Sequence, residues 1–328
     1  MNINEILKGL AAMCVSLIIF LVLLEVTLQI YTRVAIYYDV EMSRYATELK
    51  QKADNPNIGH VHRPGAEAHL MGVDVKINSD GFRDEEYSLE RTAAHRIVVL
   101  GDSLTFGWGV EQEDTYEAIL ERELGQIRPV EMINTGHGNY NTVQQVNLLR
   151  EKGLAYNPDK VVVFFFINDA EVTPVRSKWT PIARLRSVTF LWSRVRGLLT
   201  RTAPGQTFES FYSDLYEDDQ PGFVAMKEAF LELQGLCEER GIQLQVVMIP
   251  ELHNLTDYPF SNEYRKVYDF LQANNIAAID LTDDFATYTE APETLWVALD
   301  DAHPNAPAHR MIADFSKDFI ARGSVSNE

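Results

Sequence analysis

In the stretch VVLGDSLTFGWGV, Val98 to Val110, a serine stands just beyond an apolar run, and Gly107 and Gly109 follow it. A serine hydroxyl becomes a nucleophile only when a base takes its proton, a third group orients the base, and hydrogen-bond donors await the oxyanion. The chain contains residues of each type. Near the C-terminus lies Leu299-Asp300-Asp301-Ala302-His303-Pro304. An aspartate three residues before a histidine can share a turn with it, hold the imidazole tautomer and leave the other ring nitrogen for the serine proton. That spacing favours Asp300 over the adjacent Asp301. In Phe166-Ile167-Asn168-Asp169 a side-chain amide could donate to an oxyanion, and in Asn134-Thr-Gly136-His137-Gly138-Asn139-Tyr140 backbone N–H groups of a tight loop could do the same. Each such donor contributes about 2.7–4 kcal/mol to lowering the barrier. Taken singly these signals are weak, since Asp and Ser also cap helices and a strand-end Asn also closes turns.

Their positions on predicted elements give them weight. Strands are expected at 95–102, 130–136, 160–169, 242–250 and 277–282, several of them almost continuously apolar, as parallel strands covered on both faces are. Helical patterns lie between them, near 115–124, 141–154, 223–240, 261–274 and 306–321. Such alternation predicts an α/β sandwich around a parallel sheet, with ligands bound beyond the carboxyl ends of the strands. Ser103, the 134–139 loop and Asn168 all fall at such ends.

These residues resemble the blocks of the SGNH (GDSL-type) hydrolase superfamily over roughly residues 95–320. Gly101-Asp102-Ser103-Leu104 is similar to the first block, Asn168-Asp169 to the third and Asp300-x-x-His303 to the last. The resemblance implies a three-layer α/β/α, flavodoxin-like fold, a shallow site without a cofactor, and serine esterase or acyl-transfer chemistry. It implies Ser103 as nucleophile, His303 as base, Asp300 as its orienting partner, and Ser103 N–H, Asn139 N–H and the Asn168 amide as oxyanion donors. Two positions depart from the family pattern: Asn139 stands where the second block ends in glycine, and Phe166 where the third block begins with glycine. Anchored members of similar layout act on acylated glycans or other envelope esters outside the cytoplasm. A serine esterase of that kind is therefore expected; the alternatives are an O-acyltransferase using the same triad on envelope polysaccharide, and a non-catalytic anchored binding or scaffold protein.

The remaining sequence concerns location and partners. Gly9–Ile30 is a run of 22 residues whose one ionisable side chain is Glu25, long enough to span a hydrocarbon core of about 30 Å. No small-x-small cleavage site follows it, so a single membrane anchor is expected; the flanking charges hardly discriminate the orientation, and the resemblance implies a catalytic domain on the periplasmic side. The domains expected are an anchor at 1–33, a juxtamembrane helix and short strand-containing segment at 34–94, a hydrolase domain at 95–322 with an insertion at 170–222, and a tail at 323–328. A short edge strand is expected within Met71 to Ile77. The insertion carries seven Lys or Arg between Glu171 and Glu209, with no acid between them. Its segment 181–199 reads as a basic amphipathic helix suited to a membrane interface, or as a lid pairing with an acidic body. A formal charge of −19 argues against nucleic acid as a partner. His60, His62 and His69 lack a matching carboxylate or cysteine framework, and the chain has no phosphate-cradling GxGxxG or GK[S/T] and no GxSxG elbow. No metal or cofactor is expected. His137 is expected to line the pocket. Cys14 falls inside the apolar run, so a disulfide with Cys237 is not expected.

Overall fold

The protein is described here by a computed structural model covering residues 3–32, 36–92, 94–173, 185–202 and 207–322. From the N-terminus come α1 (Ile3–Tyr31) and α2 (Tyr38–Arg44), then two antiparallel ribbons, β1 (Lys50–Lys52) with β2 (His60–His62) and β3 (Glu67–Leu70) with β4 (Val73–Lys76). Strand–helix alternation starts at β5 (His95–Leu100) and continues through α3 (Ser103–Phe106), α4 (Tyr116–Leu124), β6 (Val130–Asn134), α5 (Thr142–Glu151) and β7 (Lys160–Phe165). The insertion supplies α6 (Arg186–Thr202) and α7 (Phe208–Leu215). The remainder is α8 (Pro221–Glu238), β8 (Gln243–Met248), α9 (Ser261–Ala273), β9 (Ala277–Asp280), α10 (Thr282–Phe285), β10 (Trp296–Ala298), β11 (Asp301–Pro304) and α11 (Ala306–Ala321).

Five strands pair in parallel in the order β6-β5-β7-β8-β9. Numbered by their place in the sheet this is 2-1-3-4-5, the flavodoxin-like order, as expected. The two-residue period of a strand explains the three layers. Val98, Leu100, Val161 and Val163 face one way and pack with α5, α8 and α9 through Leu148, Leu149, Phe230 and Val267. Ile97, Val99, Val162 and Phe164 face the other way and pack with α4 and α11 through Ile119, Leu120, Ile312 and Ile320. Both faces are therefore apolar, which is why these strands read as unbroken hydrophobic runs. Each such side chain, fully buried, contributes roughly 1.5–3 kcal/mol before entropy is counted.

The described residues group into two compact units. One contains α1, α2 and α6. The helix α1 is the one among the described residues long and apolar enough to cross a membrane, with a mean hydropathy of 2.6 in its most apolar window; a signal sequence would pass the same test. Glu25, a carboxylate within the apolar run of this helix, accepts from the backbone N–H of Arg186 at 3.0 Å and of Ser187 at 2.9 Å, and from the Ser187 hydroxyl at 2.6 Å. It thus satisfies first-turn amides of α6 that have no partner inside that helix. Arg186 also donates to Gln29 O and Thr32 Oγ1 at the end of α1. Of the basic residues in the insertion, Arg176, Lys178 and Arg184 lie outside the described residues, as do positions 181–183 of the expected helix and the tail at 323–328.

The other unit holds the sheet, its helices, the two ribbons named above and a third in which β10 pairs antiparallel with β11. Within the expected strand at 71–77, Val73–Lys76 is extended and pairs with Glu67–Leu70, not with the large sheet. Met71 and Gly72 turn between them at φ of 51° and 83°, the left-handed pair that a two-residue hairpin requires. The polar stretch after α1 is helical only to Leu49, and Lys50 already begins a strand.

Candidate active site

The strand β5 ends on Leu100, and the chain then turns sharply into α3. Gly101 permits the turn: a Cβ there would lie 1.8 Å from Thr105 Oγ1. Asp102 caps the helix, its Oδ1 accepting from Leu104 N–H at 2.8 Å. Ser103 is therefore the first helical residue, and its own N–H is one of the donors an α-helix leaves without an internal partner.

Ser103 Oγ lies 2.8 Å from His303 Nε2. These side chains are 200 positions apart in the chain and meet beyond the carboxyl end of β5. His303 Nδ1 lies 2.5 Å from Asp301 Oδ1, the same oxygen that accepts from His303 N–H at 3.2 Å. The expectation for Asp300 is thus corrected in its geometry: Asp300 is exposed in the turn between β10 and β11, and the partner of His303 is its neighbour Asp301. The reason is the local element. An i, i+3 spacing joins side chains on a helical turn, but residues 301–304 form a strand, where i and i+2 share a side. Leu299 and Asp300 form the loop that the pairing of Ala298 with Asp301 leaves between the strands.

A tryptophan that none of the sequence motifs singles out completes the acid's surroundings. Trp108 is buried and donates Nε1–H to Asp301 Oδ2 at 2.8 Å. Burial alone would raise the Asp301 carboxyl, but hydrogen bonds from His303 and Trp108 outweigh it and leave Asp301 below its ordinary value. The only hint in the sequence was a large aromatic with a polar N–H placed between two glycines.

Asn168 occupies the first turn after β7, and its Nδ2 donates to Asp102 Oδ2 at 2.7 Å. An amide nitrogen carries two hydrogens, so the bond to Asp102 fixes the group and leaves a second N–H to point elsewhere. Phe166, where the family pattern has glycine, sits at φ −134° and ψ 160°, extended backbone open to any residue. Its half-buried ring packs against both cores.

The loop after β6 is pinned from several sides. Asn134 Nδ2 donates to Thr105 O at 2.8 Å and to Glu117, its Oδ1 accepts from Gly136 N–H at 2.8 Å, and its N–H donates to Asp84 Oδ2 at 2.6 Å. Gly136 lies so close to α3 that a Cβ would meet Phe106 N at 2.4 Å. Burial pushes Glu117 up to about 8 and Asp84 well above the usual carboxylate range. Asn139, at the family's glycine position, adopts φ +68°, the left-handed conformation asparagine tolerates better than most side-chain-bearing residues.

Beneath this loop lies a cluster that the expectation of a metal-free His60, His62, His69 segment did not foresee. His62 stacks on His137 at 3.9 Å between ring centroids, and His137 stacks on Tyr140 at 4.7 Å. Lys50 Nζ donates to Gly138 O and to Asn139 Oδ1, each at 2.9 Å, and His60 Nε2 lies 3.0 Å from Gly138 O. His137 is buried in this stack and does not line the pocket. Burial lowers Lys50 to about 7 and His137 to about 3, and holds His62 well below its ordinary value. His69 stands apart on the surface, paired with Asp74. Arg83, also buried, donates to Phe106 O at 3.2 Å and Val110 O at 2.6 Å, clamping the chain that leaves α3.

The family described as GDSL-like lipase/acylhydrolase matches residues 99–311. No curated protein matches the chain. Among solved structures, a psychrotrophic esterase, EstA from Pseudoalteromonas sp., is 16% identical, covering 70% of this chain and 97% of its own at a TM-score of 0.43. The acetyl xylan esterase AlAXEase is 17% identical, covering 69% and 99% at 0.43. A two-domain esterase, CEX, active on acetylated mannans is 16% identical, covering 70% and 49% at 0.45. The family match spans most of the chain and contains the serine, the loop, the amide and the histidine just described, and on that match the chain belongs to the GDSL-like lipase/acylhydrolase family and is an SGNH-type serine hydrolase.

Proposed function

We propose that the protein is a membrane-anchored serine esterase acting on acylated glycans or related cell-envelope esters, with its catalytic domain outside the cytoplasm. The observation that carries the chemistry is the line Ser103 Oγ, His303, Asp301, with 2.8 Å at the first link and 2.5 Å at the second. Ser103 Oγ gives its proton to His303 Nε2 and attacks the ester carbonyl. Asp301 holds the Nδ1 proton and stabilises the imidazolium. Ser103 N–H, Asn139 N–H and the second N–H of Asn168 receive the oxyanion. His303 then protonates the departing alcohol, and water, activated by the same histidine, releases the acid from Ser103.

Two observations support the substrate class and location. Beyond the end of β8, the exposed His253 meets Trp296 edge-on at 4.7 Å and Phe208 at 5.5 Å. A partly exposed cluster of three rings offers a stacking surface for a sugar face. In the unit containing the anchor, α6 exposes Leu191, Trp192 and Val195 in a segment rich in arginine, a composition suited to an anionic bilayer surface. The test is turnover of the full chain in detergent on a short-chain p-nitrophenyl ester, then on acetylated glycans, fatty-acyl esters and thioesters. Activity on acetylated glycans that Ser103→Ala reduces at least 10³-fold is expected; equal activity in the two proteins rules the assignment out.

A further inference from the structure

We propose that Lys50 and His60, which lie before the family-matched region, form a lock that sets the oxyanion-binding peptide of the active site. This rests on the assignment of Asn139 N–H as an oxyanion donor made above.

The physical basis is the planarity of one peptide unit. The C=O of Gly138 and the N–H of Asn139 belong to the same trans peptide and point in opposite directions. Whatever holds Gly138 O therefore aims Asn139 N–H the other way. Two side chains hold it: Lys50 Nζ at 2.9 Å and His60 Nε2 at 3.0 Å. Lys50 takes Asn139 Oδ1 as well, so both sides of the left-handed residue are tied to one ammonium. Without these hydrogen bonds the peptide could rotate and turn a carbonyl oxygen, instead of an N–H, toward the developing negative charge.

The ribbon places these groups by register. Lys50 pairs with His62, and Lys52 with His60, across β1 and β2. In an antiparallel pair, opposed residues share a face, and so do residues two apart. Lys50, His60 and His62 thus present one face to the loop, and His62 props it from below by stacking on His137. Packing alone does not call for a lysine here. Burying an ammonium is costly, and an unbranched apolar side chain would fill the same space. What the amino group adds is two N–H donors to one peptide and its neighbouring side chain.

The test compares the full chain in detergent with Lys50→Met, measuring kcat and KM on a p-nitrophenyl ester per site titrated with a fluorophosphonate. It also measures the affinity of each protein for an alkyl boronic acid, which becomes tetrahedral on the serine. An oxyanion donor acts in the transition state and not on bound substrate. Lys50→Met is therefore expected to lower kcat about 10- to 100-fold, below the full loss of one donor, with KM within about twofold and boronate affinity falling by the same factor as kcat. Unchanged kcat per site, or a loss carried by KM, overturns the proposal. If Lys50→Met yields no titratable sites, His60→Phe keeps the ring beside Tyr140 and removes one bond to Gly138 O. A kcat loss of about 3- to 10-fold with KM unchanged is then expected, and unchanged kcat overturns the proposal. No turnover by the unmodified chain would remove the functional reading and this proposal with it, whereas normal turnover with an unaffected Lys50→Met removes this proposal alone.

Discussion

Asp300 and Asp301 are chemically identical neighbours, and backbone geometry alone separates them. Asp301 begins a strand, is buried, and shares a side with His303, while Asp300 is exposed in the preceding turn. The i, i+3 spacing suggested the wrong one of the pair, because spacing selects a partner only after the local element is known. Replacing each in turn separates them. Asp301→Asn should lower kcat by about 10³–10⁴, since an amide cannot fix the productive tautomer or stabilise the imidazolium, while Asp300→Asn should stay within about threefold. Steady-state hydrolysis of a p-nitrophenyl ester measures both, and a larger loss at Asp300 would restore the spacing-based choice. Ser103 and His303, by contrast, were legible from the sequence, because the serine follows an apolar strand and the histidine follows an acid shortly before the last helix.

The elements divide in the same way. The five strands of the sheet were legible because the central ones, β5 and β7, are apolar runs buried on both faces and all five alternate with helical patterns. The ribbons were not: β1, β2, β10 and β11 have only three or four residues each, too few for alternation to be distinguished from loop. Those ribbons carry Lys50, His60 and His62 on one side of the site and Asp301 and His303 on the other, so the misplaced acid and the unforeseen histidine stack have one cause. The stack has a consequence for stability. His137 titrates near 6.5 when unfolded and is lowered to about 3 when folded, mainly by burial, with Lys50 and Lys152 adding repulsion against Thr135 O, which favours the charged ring. A lowered histidine contributes stability that is complete above 6.5 and lost as pH falls toward 3. At pH 5 the loss is about 2 kcal/mol for this group. His137→Phe preserves stacking on His62 and Tyr140 but does not titrate. Its Tm deficit relative to the unmodified chain should therefore narrow between pH 7.5 and pH 5, as thermal unfolding at the two pH values would show; a constant deficit would mean the buried ring is not neutral when folded.

At the scale of the whole molecule, the boundary between spacer and enzyme shifts. The family match begins at residue 99, yet Lys50, His60, His62, Arg83 and Asp84 all bond or stack on the site's loops from the preceding segment. In sequence that segment stands apart from the hydrolase domain because its Pro, Gly and Asn residues precede the strand–helix alternation that starts at residue 95. Its interactions are long-range, and composition does not encode them. The insertion similarly read as a separate basic stretch, while in the structure the first turn of α6 is capped by Glu25 of the apolar helix. The central claim, however, depends on one serine. The most direct measurement is intact-protein and peptide mass spectrometry of the full chain after treatment with a fluorophosphonate. A single adduct on Ser103, absent in Ser103→Ala and formed at least 10³-fold more slowly in His303→Ala, is the predicted result. An adduct on another residue, or equal labelling of Ser103→Ala, would contradict it.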